Sequence, residues 1–159
     1  KGLMTGTSSN MFEPDTTTTR GMIVSILHRL EGSPTVTGID FTDVDYSDWY
    51  GQAVAWASSE GIVGGYGDGT FQPNKAITRE EMASILYRYA AYKGIDVSAR
   101  ADLSKYSDAN QIGTWATEVM QWANAEGLIN GMTETTLEPQ GNATRAQVAA
   151  MMERFIERY

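Results

Sequence analysis

Arg20, Arg79 and Arg145 each follow a threonine, in Thr19-Arg20, Thr78-Arg79 and Thr144-Arg145. The threonines read as helix N-caps, which puts each arginine at a first helical position. A cation there opposes the positive end of the helix dipole, at a cost of ~0.3–1 kcal/mol, so three of them suggest compensation. Two readings fit. Free amides at a helix start beside a guanidinium make an anion site, because guanidinium grips carboxylate or phosphate through two parallel bonds. In the other reading, each arginine makes a salt bridge to Glu60, Glu126 or Asp43. Tryptophan adds a second chemistry. Trp49 and Trp56 are seven residues apart, as are Trp115 and Trp122, so each pair is expected on one helix face. Trp49 and Trp115 suit an aromatic platform for the C–H face of a sugar ring, whereas Trp56 and Trp122 sit among alanines and read as core.

Composition removes most other chemistry. The 159 residues contain no cysteine and one histidine, His28. Disulfides, thiolate metal sites and cysteine nucleophiles are therefore excluded, and a histidine-based metal cluster or Ser-His-Asp triad has little to work with. The net charge of −8, from 12 Lys+Arg and 20 Asp+Glu, argues against nucleic acid. No apolar run reaches the ~20 residues that span a bilayer. Gly65-x-Gly67-x-Gly69 lacks the spacing of a dinucleotide fingerprint. Asp68 alone is too little for a calcium loop. Glu80 and Glu81 are adjacent, so they face different ways and suit dipole compensation and capping rather than a glycosidase pair. His28 reads as a partly exposed boundary residue, and Arg29, Arg88 and Arg154, nine residues beyond the capped arginines, as structural. No enzyme, cofactor or metal is expected.

The arginines belong to a repeat. Gly61-Ile62-Val63-Gly64-Gly65, Phe71-x-Pro73 and Thr78-Arg79 recur as Gly127-Leu128-Ile129-Asn130-Gly131, Leu137-x-Pro139 and Thr144-Arg145 at a constant offset of 66. They recur upstream as Gly2-Leu3-Met4-Thr5-Gly6, Phe12-x-Pro14 and Thr19-Arg20 at an offset of 59. Trp49 and Trp56 match Trp115 and Trp122, and Phe41-Thr42-Asp43 resembles Tyr106-Ser107-Asp108 with one residue inserted before the tryptophan. The chain thus reads as the second half of one repeat, residues 1–34, and two complete ones, residues 41–94 and 103–159.

Each repeat predicts helix, loop, helix. The first helices, Trp49–Glu60 and Trp115–Glu126, end at Gly61 and Gly127 in the C′ position. The loop Gly64–Thr70 is punctuated by glycines that supply positive φ and close approach. The second helices carry apolar stripes at i, i+3, i+4, i+7: Ile23, Ile26, Leu27, Leu30; Met82, Ile85, Leu86, Tyr89; Val148, Met151, Met152, Phe155. Thr78 with Glu81 and Thr144 with Gln147 are capping boxes, while Thr19 with Met22 keeps the cap alone. One such pair cannot bury its apolar face, so the copies must pack on one another.

Phe41-x-Asp43-Val44, Trp49, Ala53-Val54-x-Trp56-Ala57, Gly61-Ile62-Val63-x-Gly65-Tyr66-x-Asp68-Gly69-x-Phe71-x-Pro73 and Ile77-Thr78-Arg79-Glu80-Glu81 resemble an S-layer homology (SLH) domain. The third copy resembles it with a degraded loop, and the first over its second half. The resemblance implies an all-α fold of tandem helix-loop-helix repeats packed as a pseudo-threefold helical prism, here with an incomplete first repeat whose missing front half was either cut away or is supplied by a second chain. It implies a non-catalytic extracellular module that anchors a surface protein to the bacterial cell wall or S-layer, without membrane insertion. The implied ligand is a secondary cell wall polysaccharide carrying pyruvate, bound in grooves between repeats. Arg20, Arg79 and Arg145 would recognise the acid, and Trp49, Trp115, Asp43, Gly64, Gly65 and Tyr66 would form the sugar-facing wall. Asp68 occurs in the second copy alone, which makes the groove built on Arg79 the best candidate. The competing function is a protein-interaction or self-assembly module of a surface-layer protein.

Overall fold

The computed structural model describes residues 13–38 and 41–159, so the first copy's Gly2–Gly6 motif and Phe12 lie outside the described residues. Those residues form five α-helices and no β-strand: α1 (Arg20–Leu30), α2 (Gly51–Ser59), α3 (Arg79–Tyr92), α4 (Thr117–Ala125) and α5 (Arg145–Arg158). The all-α expectation holds. The chain divides between Ala76 and Ile77 into two compact units. That division falls inside the second sequence repeat. Each unit therefore joins the second helix of one repeat to the first helix and loop of the next.

In the first unit α1 packs on α2. Its core is Ile23, Val24 and Leu27 of α1, Val54 and Trp56 of α2, and Ile62 and Phe71 of the loop, all almost completely buried. Val24 joins the stripe and Leu30 is only half-buried, so the apolar face is rotated toward Val24. His28 is buried rather than at a boundary: its ring lies 5.6 Å from Trp56, and Nε2 donates to the Pro34 carbonyl at 2.8 Å.

The second unit repeats this design. α3 packs on α4, and Tyr87, at the position of His28, meets Trp122 edge-on at 5.5 Å. α5 adds Phe155, whose ring is 5.5 Å from Tyr89. The expected stripes of α3 and α5 are buried throughout.

The helix ends follow the sequence signals. Thr19, Thr78 and Thr144 each accept a bond from the amide three residues on, and Gln147 completes a reciprocal capping box. Gly61, at φ +72°, lets Ile62 N–H reach the Ala57 carbonyl at 2.8 Å, and Gly127 does the same for Leu128 and Ala123 at 2.9 Å. The helix starts differ from expectation. α2 begins at Gly51 and α4 at Thr117, the latter after a 3₁₀ turn at Thr114–Ala116. Trp49 and Trp115 thus precede their helices and do not share a helix face with Trp56 and Trp122.

Thr18 puts a polar side chain at a repeat position that is apolar in the other copies. It is completely buried, Oγ1 has no hydrogen-bond partner among the described residues, and its counterparts are the buried Ile77 and Ala143. An unpaired buried hydroxyl costs ~1–3 kcal/mol. Thr18→Val keeps the shape and removes that cost, so the variant should unfold at a higher temperature, by about 1 kcal/mol of added stability. An unchanged or lower midpoint in a circular-dichroism melt would show that the hydroxyl is satisfied.

Candidate functional site

The loop after each first helix has no strand to pair with, and it is held in place by the arginine at the start of the helix packed against it. Arg20 donates from Nε to the Phe71 carbonyl at 2.9 Å and from Nη2 to the Gly64 carbonyl at 3.0 Å. Arg79 makes the matching pair, Nε to Leu137 O at 2.8 Å and Nη2 to Asn130 O at 2.7 Å. The arginine of one repeat therefore grips the loop of the next. The Asp68-bearing loop lies against Arg20, and the degraded loop lies against Arg79. The pairing expected from the linear repeat, Arg79 with the loop of its own copy, is replaced by this offset one.

The helix-start amides are also committed to the loop. Arg20 N–H donates to Lys75 O at 2.9 Å and Gly21 N–H to Pro73 O at 2.8 Å, while Thr19 caps Met22. In the second unit Arg79 N–H donates to Gly141 O and Glu80 N–H to Pro139 O, both at 2.9 Å, and Thr78 caps Glu81. The first-turn amides thus meet carbonyls of the protein itself, which explains how a cation is tolerated there: its side chain is drawn off to acceptors in the loop. Burial lowers the pKa of Arg79 from its ordinary value, with the charge of Glu138 opposing, and the guanidinium stays charged. Glu126 takes Arg158 and the Tyr159 hydroxyl as its partners.

A carboxylate locks the loop from the other side. Asp43 accepts from Phe71 N–H and Gln72 N–H, both at 2.8 Å, and Gln72 stands at φ +58°. Asp108 accepts from Leu137 N–H at 2.8 Å and Glu138 N–H at 2.7 Å, with Glu138 at φ +50°. Two charged bonds hold a non-glycine residue in the left-handed region in each unit. Asp43, a candidate wall residue, spends both oxygens on this lock. Gly65 serves close approach: a Cβ there would stand 2.7 Å from Phe41 Cε1. Its counterpart Gly131 meets Tyr106 Cε1 at 2.8 Å in the same way.

The loops differ in what they show to solvent. Tyr66 is exposed, with the Arg20 guanidinium 4.7 Å from its ring centroid and Lys75 Nζ 4.9 Å away. Lys75 also donates to the Tyr66 hydroxyl at 3.0 Å. Asp68 closes this loop by accepting from Thr70 N–H at 2.9 Å and Thr70 Oγ1 at 2.6 Å. In the second unit Met132 and Gly141 replace Tyr66 and Lys75, and Thr133 Oγ1 takes the carboxylate's place, accepting from Thr136 N–H at 3.0 Å. Sequence reasoning missed Lys75, whose one signal was a cation inside the repeat where the third copy has glycine.

Trp49 is 58% exposed and Trp115 56%, against 1% for Trp56 and none for Trp122. Arg145 is buried at the start of α5. The structure brings Arg20, Gly64, Gly65, Tyr66 and Asp43 together around one loop. Among the described residues, no group of histidine and carboxylate side chains is placed to hold a metal ion.

The lock at Asp108 makes stability depend on pH. Burial pushes this carboxyl up, but bonds from the Leu137, Glu138 and Asp108 amides and the charge of Arg79 outweigh it, and the net shift is down. A carboxyl lower in the folded than in the unfolded state stabilises fully above its unfolded value, about 3.9, and the contribution fades as pH falls through the folded value. Asp108→Asn leaves one amide facing an NH₂ group, at a cost of ~2 kcal/mol near neutrality. The gap in melting temperature between wild type and variant should narrow as pH falls from about 5 to about 2. A constant gap over that range would remove the carboxylate from this role.

Comparison with known proteins bears on these features. The S-layer homology domain model matches residues 1–21, 40–83 and 105–149. An amylopullulanase of Thermoanaerobacterium thermosulfurigenes is 34% identical over 98% of the chain, which spans 8% of that protein. A cellulosome-anchoring protein of Acetivibrio thermocellus is 30% identical over 96% of the chain, or 35% of its own length. A surface-layer 125 kDa protein of Lysinibacillus sphaericus is 30% identical over 98% of the chain, or 13% of its own length. The chain thus spans a minor part of the curated relatives it matches. Surface-layer and cell-surface proteins recur among these relatives, which sets the chain at the bacterial cell surface. With three matched segments along its length and the same repeat in its structure, the chain belongs to the S-layer homology domain family.

Proposed function

We propose that the chain is a non-catalytic anchoring module that binds an acidic polysaccharide of the cell wall, with a pyruvyl carboxylate as the recognised acid. The observation that carries this reading is the pair of cations on one exposed ring: Arg20 and Lys75 both lie within 5 Å of the Tyr66 centroid. Carbonyl oxygens fix the Arg20 guanidinium in position without cancelling its formal charge. Lys75 is exposed, with Nζ donating to the Tyr66 hydroxyl at 3.0 Å. The Tyr66 ring between them offers a face to sugar C–H groups, and Gly64 and Gly65 keep the loop low beside it. The exposed indoles of Trp49 and Trp115 are further platforms, and Arg79 and Arg145 occupy the equivalent helix starts. The relative named as a cellulosome-anchoring protein supports the anchoring role. No helix among the described residues is long and apolar enough to cross a membrane, so the attachment proposed here is to wall polymer.

The test uses purified wall polysaccharide in its native form and after mild acid removal of its pyruvyl ketals. The untreated polymer should bind, and the stripped polymer should bind at least tenfold more weakly, as expected for loss of a charge-assisted hydrogen bond worth ~1.5–3 kcal/mol. Lys75→Gln, which removes the charge and leaves the Arg20 and Asp43 bonds to the loop backbone intact, should reduce affinity for the untreated polymer by about tenfold and barely alter binding of the stripped one. Equal affinity for the two polymers would overturn acid recognition. Equal affinity of wild type and Lys75→Gln would remove this loop as the site.

A further inference from the structure

The two exposed tryptophans are supported in different ways. Trp49 stands edge-on to Tyr50, 5.2 Å between centroids, and Tyr50 is anchored through its hydroxyl to Asp48 Oδ2 at 2.9 Å. In the second unit the position of Tyr50 is taken by Ala116, so Trp115 has no such ring beside it. It rests instead on Gly113: a Cβ built on that glycine would stand 2.6 Å from Trp115 Nε1 and 3.0 Å from Cδ1. Gly113 is the residue from which the 3₁₀ turn Thr114–Ala116 starts, and its carbonyl accepts from Ala116 N–H at 2.8 Å. The orientation of the indole is therefore set by the position of the Gly113 backbone.

Glu80 fixes that backbone. It lies in the first turn of α3, is 6% exposed, and its Oε2 accepts from Gly113 N–H at 3.0 Å. Its counterparts are Gly21 and Ala146, so this copy alone places a long side chain there. The exchange is reciprocal. At Gly21 a Cβ would stand 3.4 Å from the Tyr50 Cβ and 3.0 Å from the Pro73 carbonyl, so the first unit combines a glycine with a tyrosine. The second unit combines a glutamate with an alanine at the same two positions. The segment that Glu80 holds is also the one carrying the extra residue: seven positions separate Asp108 from Trp115, against six from Asp43 to Trp49. Burial raises the pKa of Glu80, while the Gly113 amide opposes the shift. A buried acid is retained in a protein of net charge −8 where packing alone would take a small residue.

We infer that Glu80 is a positioning residue for Trp115, holding the Gly113 turn so that the indole stands ready as a platform for a wall-polymer sugar. The sugar part of this inference rests on the function proposed above; the positioning part does not. Ligand-free spectroscopy separates the two. In a Trp49→Phe background Trp115 is the exposed indole, since Trp56 and Trp122 are buried. Glu80→Ala should lower the red-edge fluorescence anisotropy of that indole, and Glu80→Gln, which keeps an acceptor oxygen, should restore it. Gly113→Ala reaches the same end without touching α3, by pushing the ring from its seat.

In the wild-type background Glu80→Ala should weaken wall-polysaccharide binding by about two- to tenfold, the cost of ordering one loosened side chain, and Glu80→Gln should bind as wild type. Unchanged anisotropy in both Glu80→Ala and Gly113→Ala overturns the inference, even if melting temperature falls. Lowered anisotropy with undiminished binding overturns the platform role. Absence of binding by the wild type defeats the proposed function instead, and the anisotropy comparison still decides whether Glu80 sets Trp115.

Discussion

A loop that pairs with no strand leaves its carbonyls to be satisfied one by one, and in this chain a single arginine in each unit does so. Nε and Nη2 of Arg20 reach Phe71 and Gly64, and the same atoms of Arg79 reach Leu137 and Asn130. The planar fork is suited to this because its donors are fixed relative to one another, so two bonds define the position of the segment from Gly64 to Phe71, and of that from Asn130 to Leu137. The opposite edge of each loop is closed by Asp43 or Asp108 on two successive amides. Arginine reads carbonyls and aspartate reads amides, so the loop is held through its backbone. Its side chains are left open to change: Tyr66 becomes Met132 and Lys75 becomes Gly141 while the hydrogen-bond frame persists.

That frame explains which parts of the fold were legible. Capping threonines, C′ glycines and apolar stripes are local signals read within one helix, and they placed α1, α3 and α5 correctly at their starts. Registration between repeats was not legible. The recurring arginine, glycine loop and cap occur in one copy in the order of the chain, yet Arg20 reaches 51 positions ahead to Phe71. Repetition reveals that residues share a role but not which copy supplies the partner, because every copy offers the same set. The arginine's hold on the loop was not legible for a related reason. Sequence places a carboxylate or a ligand anion as the natural partner of guanidinium, whereas backbone carbonyls leave no trace in residue identity.

The start of each first helix was misplaced for a different reason. Trp49 and Trp56 at a spacing of seven imitate a helical face, but Gly51 lies between them, and Asp45, Tyr46 and Asp48 form bonded turns just before it. Turn-forming side chains compete with the helix for the same backbone amides. The consequence is functional. A tryptophan in the helix proper would have joined Trp56 in the core, whereas one set on a turn is left with more than half its surface exposed. The same exposure recurs at the matching position of both units.

The charge balance constrains the acid binding proposed above. A protein of net charge −8 repels polyanions at long range, with the repulsion screened over about 10 Å at 0.1 M salt. An acidic polymer must therefore be bound by contacts that act at short range. Arg20 meets this requirement because the Phe71 and Gly64 carbonyls orient it in advance, so little side-chain entropy is lost on meeting an anion. Lys75, which donates to the Tyr66 hydroxyl, brings a second cation to the same ring. The second unit keeps the oriented arginine but surrounds Arg79 with Asp108, Glu138 and a methionine-bearing loop. It has Gly141 in place of Lys75, and its exposed Trp115 is held by a device the first unit lacks. The two units thus share one backbone frame and diverge in the side chains they present, Arg20, Tyr66 and Lys75 in the first and Trp115 on the Glu80-held turn in the second.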